Sequence, residues 1–153
     1  MNNISSYSLI LGGAKALDKI SQTPRLDSEL LLAKVLKMGR DQFYCKDIFP
    51  ERKQIQAYDA LLKKRIQGTP VAYLTGCKEF WSLPLKVNQD TLIPRPETEH
   101  LVDEAINHCK ETGLANPVVL DLGSGSGCVG LAVAKEIPNS LVVLVEKLVS
   151  VIT

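Results

Sequence analysis

The sequence has little that would suit it to an oxidising compartment, a membrane or a metal. Its four cysteines, Cys45, Cys77, Cys109 and Cys128, are scattered without a Cys-x-x-Cys pair. The two histidines, His100 and His108, have no acid or cysteine partner in motif spacing. A disulfide scaffold and a metal centre are thereby set aside, and the thiols read as reduced. No apolar run reaches the roughly 20 residues of a membrane helix, because Leu9–Leu11 is short and the stretch after Leu141 is broken by Glu146 and Lys147. The opening residues lack the basic start of a secretion signal, so a cytoplasmic location is expected. Net charge is only +1 but unevenly spread: residues 1–70 hold 12 Lys/Arg against 7 Asp/Glu, and 71–153 hold 6 against 10. A basic bias of that size reads first as a solvated helical face, with RNA or an acidic partner as the less favoured reading.

What is present divides the chain into a helical front and a mixed back. Leu9, Leu11, Ala14, Leu17 and Ile20 recur at helical spacing over Tyr7–Ile20. Thr23 can cap a second helix that Pro24 opens, with Leu26, Leu30, Leu31, Ala33 and Leu36 as its apolar stripe up to Gly39. A third, over Glu51–Gln67, carries Ile55, Tyr58, Leu61, Leu62 and Ile66 and stops at Gly68. Beyond Gly68 the short runs Val71–Tyr73, Glu79–Trp81 and Pro84–Val87 read as strands, which predicts a hairpin connector over 71–93. Tyr73 and Trp81 are taken as packing anchors rather than a stacking platform. Pro96 then opens a helix with Glu97 and Glu99 near its positive end, running to Gly113.

The back part contains one β-α-β unit. Pro117–Asp121 and Leu141–Val145 read as buried parallel strands, joined by the turn Gly123-Ser124-Gly125-Ser126-Gly127 and a helix over Cys128–Glu136. Glycines let the backbone approach a ligand, the helix start offers N–H groups, and Glu146 closes the second strand, where a carboxylate suits two ribose hydroxyls. The pattern points to a nucleotide-type cofactor. Gly125, Gly127 and Gly130 also fit the dinucleotide spacing G-x-G-x-x-G. Asp121 favours the other choice, since a carboxylate there repels a pyrophosphate but attracts the amino and sulfonium cations of S-adenosylmethionine. A turn aspartate can equally be held by backbone N–H groups.

Three segments in order resemble one family. Gly68-Thr69-Pro70-Val71-Ala72-Tyr73-Leu74-Thr75-Gly76 with Phe80-Trp81, then Leu92-Ile93-Pro94-Arg95-Pro96-Glu97-Thr98-Glu99, then Asp121–Gly127, are similar to the signatures of HemK/PrmC proteins. Asp27-Ser28-Glu29-Leu30-Leu31-Leu32 resembles the D-x-E-x-L-L element of their helical domain. The resemblance implies an α/β fold: a helical substrate-recognition domain over 1–70, a β-hairpin connector over 71–93, and a partial Rossmann-like methyltransferase domain over 94–153. It implies S-adenosylmethionine as cofactor, held by Asp121, Gly123, Ser124, Gly125, Ser126, Gly127 and Glu146, and peptide chain release factors as protein substrate, methylated on the glutamine amide of a Gly-Gly-Gln loop. No metal or membrane partner is implied, and nucleic acid is less favoured.

An amide nitrogen is a poor nucleophile, and the family positions it with an Asn-Pro-Pro-Tyr motif. Residues 1–153 contain no such run, so no catalytic residue is assigned, and the chain reads as truncated and inactive alone. Arg95, Glu97 and Thr98 match a segment near the family's active site but suit a helix start equally well. A two-stranded sheet would leave an open edge, so 141–152 is expected to be mobile, aggregation-prone or paired with another chain. Two other functions stay open: a non-catalytic remnant that binds a partner, and a methyltransferase acting on amino groups of nucleic-acid bases.

Overall fold

The computed structural model describes residues 4–147. The chain forms two compact units, Met1–Thr75 and Gly76–Thr153. The first consists of α1 (Ser6–Leu17), α2 (Pro24–Leu36), α3 (Gln42–Cys45), α4 (Arg52–Ile66) and α5 (Val71–Thr75). Ser5 caps α1 by accepting the Ser8 N–H at 3.2 Å, and Gln54 Oε1 accepts the Glu51 N–H at 2.8 Å where α4 begins. Such local bonds satisfy donors that a helix start leaves unpaired. Ile10, Leu31, Leu32 and Tyr58 form the core of this unit, with Val71 and Leu74 packed against it.

Two expectations are corrected in this unit. Val71–Tyr73 is helix, not strand: Pro70 starts a turn whose carbonyl accepts the Tyr73 and Leu74 N–H groups at 3.1 and 3.2 Å. Burial of Val71 and Leu74 against the bundle outweighs the β-preference of Val71. Thr23 makes no capping bond to the backbone of α2; its hydroxyl donates to Asp27 Oδ1 at 3.3 Å.

Helix α2 also departs from a simple apolar stripe, because Asp27, Ser28 and Glu29 are all buried. At 3.6 residues per turn, consecutive side chains point about 100° apart, so three polar neighbours address three different partners. Asp27 Oδ2 accepts from Arg65 Nε of α4 at 2.9 Å. The Ser28 hydroxyl donates to the Ile10 carbonyl of α1 at 2.9 Å and lies 2.7 Å from the Tyr58 hydroxyl of α4. Glu29 Oε1 accepts from the Tyr44 hydroxyl of α3 at 2.7 Å and from Arg25 Nε at 3.0 Å. This polar triple ties α2 to α1, α3 and α4 beside the apolar packing of its Leu31 and Leu32.

The second unit begins with an antiparallel hairpin, β1 (Cys77–Phe80) and β2 (Leu83–Lys86), followed by a 3-10 turn at Pro96–Thr98 and α6 (Glu99–Glu111). The hairpin thus belongs to this unit, and its strands begin two residues and one residue before the sequence runs Glu79–Trp81 and Pro84–Val87. Trp81 and Ser82 form its tip with φ of 51° and 55°. Such angles are costly for bulky residues and need support. Glu99 Oε1 accepts the Trp81 N–H at 3.2 Å, Glu136 Oε1 accepts its indole N–H at 2.8 Å, and Lys135 Nζ donates to its carbonyl at 3.2 Å. Trp81 also packs on the core of Phe80, Leu85, Val102, Ala132 and Val133, which makes it an anchor.

Strands β3 (Val118–Leu122) and β4 (Leu141–Val145) pair in parallel, from Val118 opposite Leu141 to Leu122 opposite Val145, and α7 (Cys128–Glu136) joins them. The parallel pairing agrees with the sequence pattern. Full burial does not: Val119 and Val142 pack on the core, while Leu120 and Leu122 on alternate positions are 58% and 69% exposed. Helices cover one face of this pair among the described residues. Part of the expectation for 141–152 falls on 148–152, outside the described residues. No described helix is long and apolar enough to cross a membrane.

The thiols give a simple check of both units. Cys45 and Cys77 are exposed, Cys109 is buried, and burial pushes the Cys128 thiol above its ordinary range. Alkylation by iodoacetamide near pH 8, followed by mass spectrometry, is expected to label Cys45 and Cys77 first, since the thiolate is the reactive form. Labelling of Cys109 at the same rate would contradict the packing of α6.

Candidate cofactor-binding site

The glycine turn sits at the C-terminal ends of β3 and β4. Gly123 and Ser124 donate their N–H groups to the Val145 carbonyl at 2.8 and 3.1 Å, which ties the turn to the end of the second strand. Gly127 donates to the Ser124 carbonyl at 2.8 Å, closing the turn just before α7. Gly125 and Gly127 have φ of 55° and 75°, left-handed angles that glycine adopts without the penalty of a Cβ. At Gly123 and Gly125 a Cβ would meet nothing within 4 Å, so the turn opens onto free space there.

Two carboxylates flank the turn. Asp121 Oδ2 accepts the Gly130 N–H at 3.0 Å, in the first turn of α7, where a negative group also faces the positive end of the helix. Glu146 Oε2 accepts the Gly125 N–H at 2.8 Å, and Oε1 accepts the Lys147 N–H at 2.7 Å. The backbone-held role weighed for Asp121 is therefore present, and Glu146 also anchors the turn. The Ser126 hydroxyl is cut off from solvent with no hydrogen-bond partner of ordinary geometry among the described residues. Its approach to the Cys128 thiol offsets the burial of that thiol only in part. An orphaned hydroxyl beside an open glycine backbone is what a site built for a polar ligand presents. Of the seven sequence-assigned residues, Gly123, Ser124, Gly125, Ser126 and Gly127 form the turn, and Asp121 of β3 and Glu146 after β4 flank it.

Gly130 was visible only as the third glycine of a spacing pattern. A Cβ there would clash with Leu144 Cδ2 and lie 3.0 Å from Val142 Cγ1 and 3.2 Å from Asp121 Oδ2. Its bare backbone lets α7 lie close on the sheet and brings its N–H to Asp121. Arg95 and Glu97 stand exposed at the start of α6, with the Thr98 N–H donating to the Arg95 carbonyl at 3.0 Å. Among the described residues no group of three or more His, Cys, Asp or Glu is arranged to hold a metal.

Comparison with known proteins follows the same division. Residues 8–76 match the family model of the PrmC N-terminal domain, and residues 97–151 match a family model described as lysine methyltransferase. The matched stretches take in the helices of the first unit and the β-α-β unit of the second, a mixed α/β arrangement. The release factor glutamine methyltransferase of Rhodopirellula baltica is 44% identical over 131 residues, covering 84% of this chain and 44% of the relative. That of Coxiella burnetii is 46% identical over 127 residues, covering 82% and 45%. That of Escherichia coli is 43% identical over 132 residues, covering 84% and 46%. The chain belongs to the HemK/PrmC family and spans less than half the length of these curated relatives.

Proposed function

We propose that this chain supplies the cofactor-binding and substrate-recognising parts of an S-adenosylmethionine-dependent methyltransferase that modifies a glutamine side-chain amide in peptide chain release factors. One observation carries the reading: an open glycine turn lies over the ends of two parallel strands, between Asp121 and Glu146, with the Ser126 hydroxyl orphaned in it. Gly123, Ser124, Gly125, Ser126 and Gly127 would hold the methionyl part, Asp121 its cationic groups and Glu146 the ribose hydroxyls. When bound, the cofactor supplies an electrophilic methyl carbon. The residues of this chain bind and orient it, and the helical unit selects the protein that carries the glutamine. The sequence 1–153 contains no Asn-Pro-Pro-Tyr run, so the reading gives this stretch binding rather than methyl transfer.

Calorimetric titration with S-adenosylmethionine tests the cofactor assignment. Glu146→Ala is expected to weaken binding by about 1–3 kcal/mol, through lost ribose bonds and a loosened Gly125 anchor. Equal affinity of variant and parent refutes the assignment of Glu146. Binding of a Gly-Gly-Gln release factor to the chain tests the substrate reading, and the absence of any complex at micromolar concentrations counts against it.

A further inference from the structure

The helical unit holds a second, separate cleft of about 390 Å³ where the first turn of α2 faces Arg40 and Tyr44. Its floor is the Glu29 carboxylate, whose side chain is 4% exposed. Two guanidinium groups share that one acid: Arg25 Nε at 3.0 Å and Arg40 Nη1 at 3.5 Å. The Tyr44 hydroxyl donates to it as well, at 2.7 Å, and that bond raises the phenol above its ordinary range. One negative charge cannot balance two positive ones. The side chains of Arg25 and Arg40 are 55% and 40% exposed, so both guanidinium groups stay open to solvent beside a buried carboxylate that fixes where they stand. The start of α2 adds the positive end of a helix to the same wall. Pro24, Leu26 and Tyr44 supply apolar surface beside these charges, with Tyr44 64% and Leu26 36% exposed.

We propose that this cleft docks an acidic segment of a protein partner, with a partner carboxylate taken between Arg25 and Arg40 and an adjoining apolar side chain laid against Leu26 and Tyr44. Guanidinium forks suit a planar carboxylate, and a carboxylate arriving here neutralises the surplus charge. A single compact cleft with apolar walls fits one acidic side chain beside an apolar one better than a phosphate backbone, whose regularly spaced charges ask for an extended basic track. Glu29 is a positioning residue: it orients both arginines without touching the partner. The proposal rests on the reading that the helical unit selects a protein, and it can fail while that reading survives.

The test is a nitrogen-15 NMR titration of the whole 153-residue chain with the blocked peptide Leu-Asp-Glu-Leu-Glu. The Arg25 and Arg40 Nε–H signals are expected to move saturably, and the neutral peptide Leu-Asn-Gln-Leu-Gln should leave them in place. The double variant Arg25→Gln/Arg40→Gln should bind the acidic peptide at least about tenfold more weakly. Shifts confined to other residues, no saturable shift at all, or unchanged affinity in the double variant overturns the proposal. So does tighter binding of a twelve-residue oligouridylate through the same two signals, which would assign the cleft to RNA. The shifts in the parent chain do not depend on how the variant folds. A release factor that still binds the double variant at parental affinity overturns the cleft as its docking point but leaves the proposed substrate intact.

Discussion

Asp27→Ala is expected to destabilise the helical unit by about 3 kcal/mol, because it strands the Arg65 guanidinium against α2. The side chains of the pair are 9% and 16% exposed and 2.9 Å apart, so water replaces the lost partner only in part. The loss is put at the lower end of the range for a broken buried pair, since the Arg65 stem can swing its head outward. It is nevertheless large for a unit of 75 residues, whose whole stability is about 4–11 kcal/mol at ordinary values per residue. The four tyrosines all lie in the first unit and the single tryptophan in the second, so tyrosine and tryptophan emission report the two separately. Urea unfolding of the variant should move the tyrosine midpoint sharply downward. Replacing both partners by apolar residues, Asp27→Leu with Arg65→Met, should recover most of the loss, because no charge is then left buried. A tyrosine midpoint unchanged in Asp27→Ala would show that the pair contributes nothing.

The same helix marks the limit of what could be read beforehand. Period and capping residues located α1, α2, α4, α6 and α7 to within a few residues, since each rule concerns near neighbours in sequence. The role of Asp27-Ser28-Glu29 lay in partners 15 to 38 positions away, such as Tyr44 and Arg65. Nothing local distinguishes a buried aspartate from a solvated one. Val71 was misread for a related reason: its β-preference is a weak local term, overridden by burial in the bundle. The glycine turn was legible because its chemistry is local, and the seven residues assigned to it are contiguous in sequence apart from Asp121 and Glu146. The cleft of Arg25 and Arg40 was not, because a short helix and a loop bring Arg40 and Tyr44 to it without any periodic signal.

Two adjacent glycines in α1 make the distinction measurable. Gly12 and Gly13 look alike in sequence, and in an exposed helix interior each would cost about 1 kcal/mol against alanine. At Gly12 a Cβ would meet nothing within 4 Å. Gly12→Ala is therefore expected to stabilise the unit, by up to about 1 kcal/mol. A Cβ at Gly13 would clash with the Tyr58 hydroxyl and stand 2.5 Å from Ser28 Oγ and 3.2 Å from Tyr58 Cζ. Neither neighbour can retreat cheaply: Tyr58 and Ser28 are 1% and 0% exposed, and the Tyr58 hydroxyl also donates to the Leu9 carbonyl at 3.2 Å. Overpacking at such a place costs about 1–3 kcal/mol. Displacing Tyr58 would also disturb the hydrogen bond that its single hydroxyl proton shares between Ser28 Oγ and the Leu9 carbonyl, at about 1 kcal/mol. Against these stands the gain of about 1 kcal/mol in helix propensity, so Gly13→Ala is expected to be destabilising by about 1–3 kcal/mol. Tyrosine-detected urea midpoints should therefore move in opposite directions for the two variants. If Gly13→Ala proves as stable as Gly12→Ala, then α1 does not rest its backbone on the Ser28–Tyr58 pair, and the packing of α1 against α2 and α4 given above is wrong.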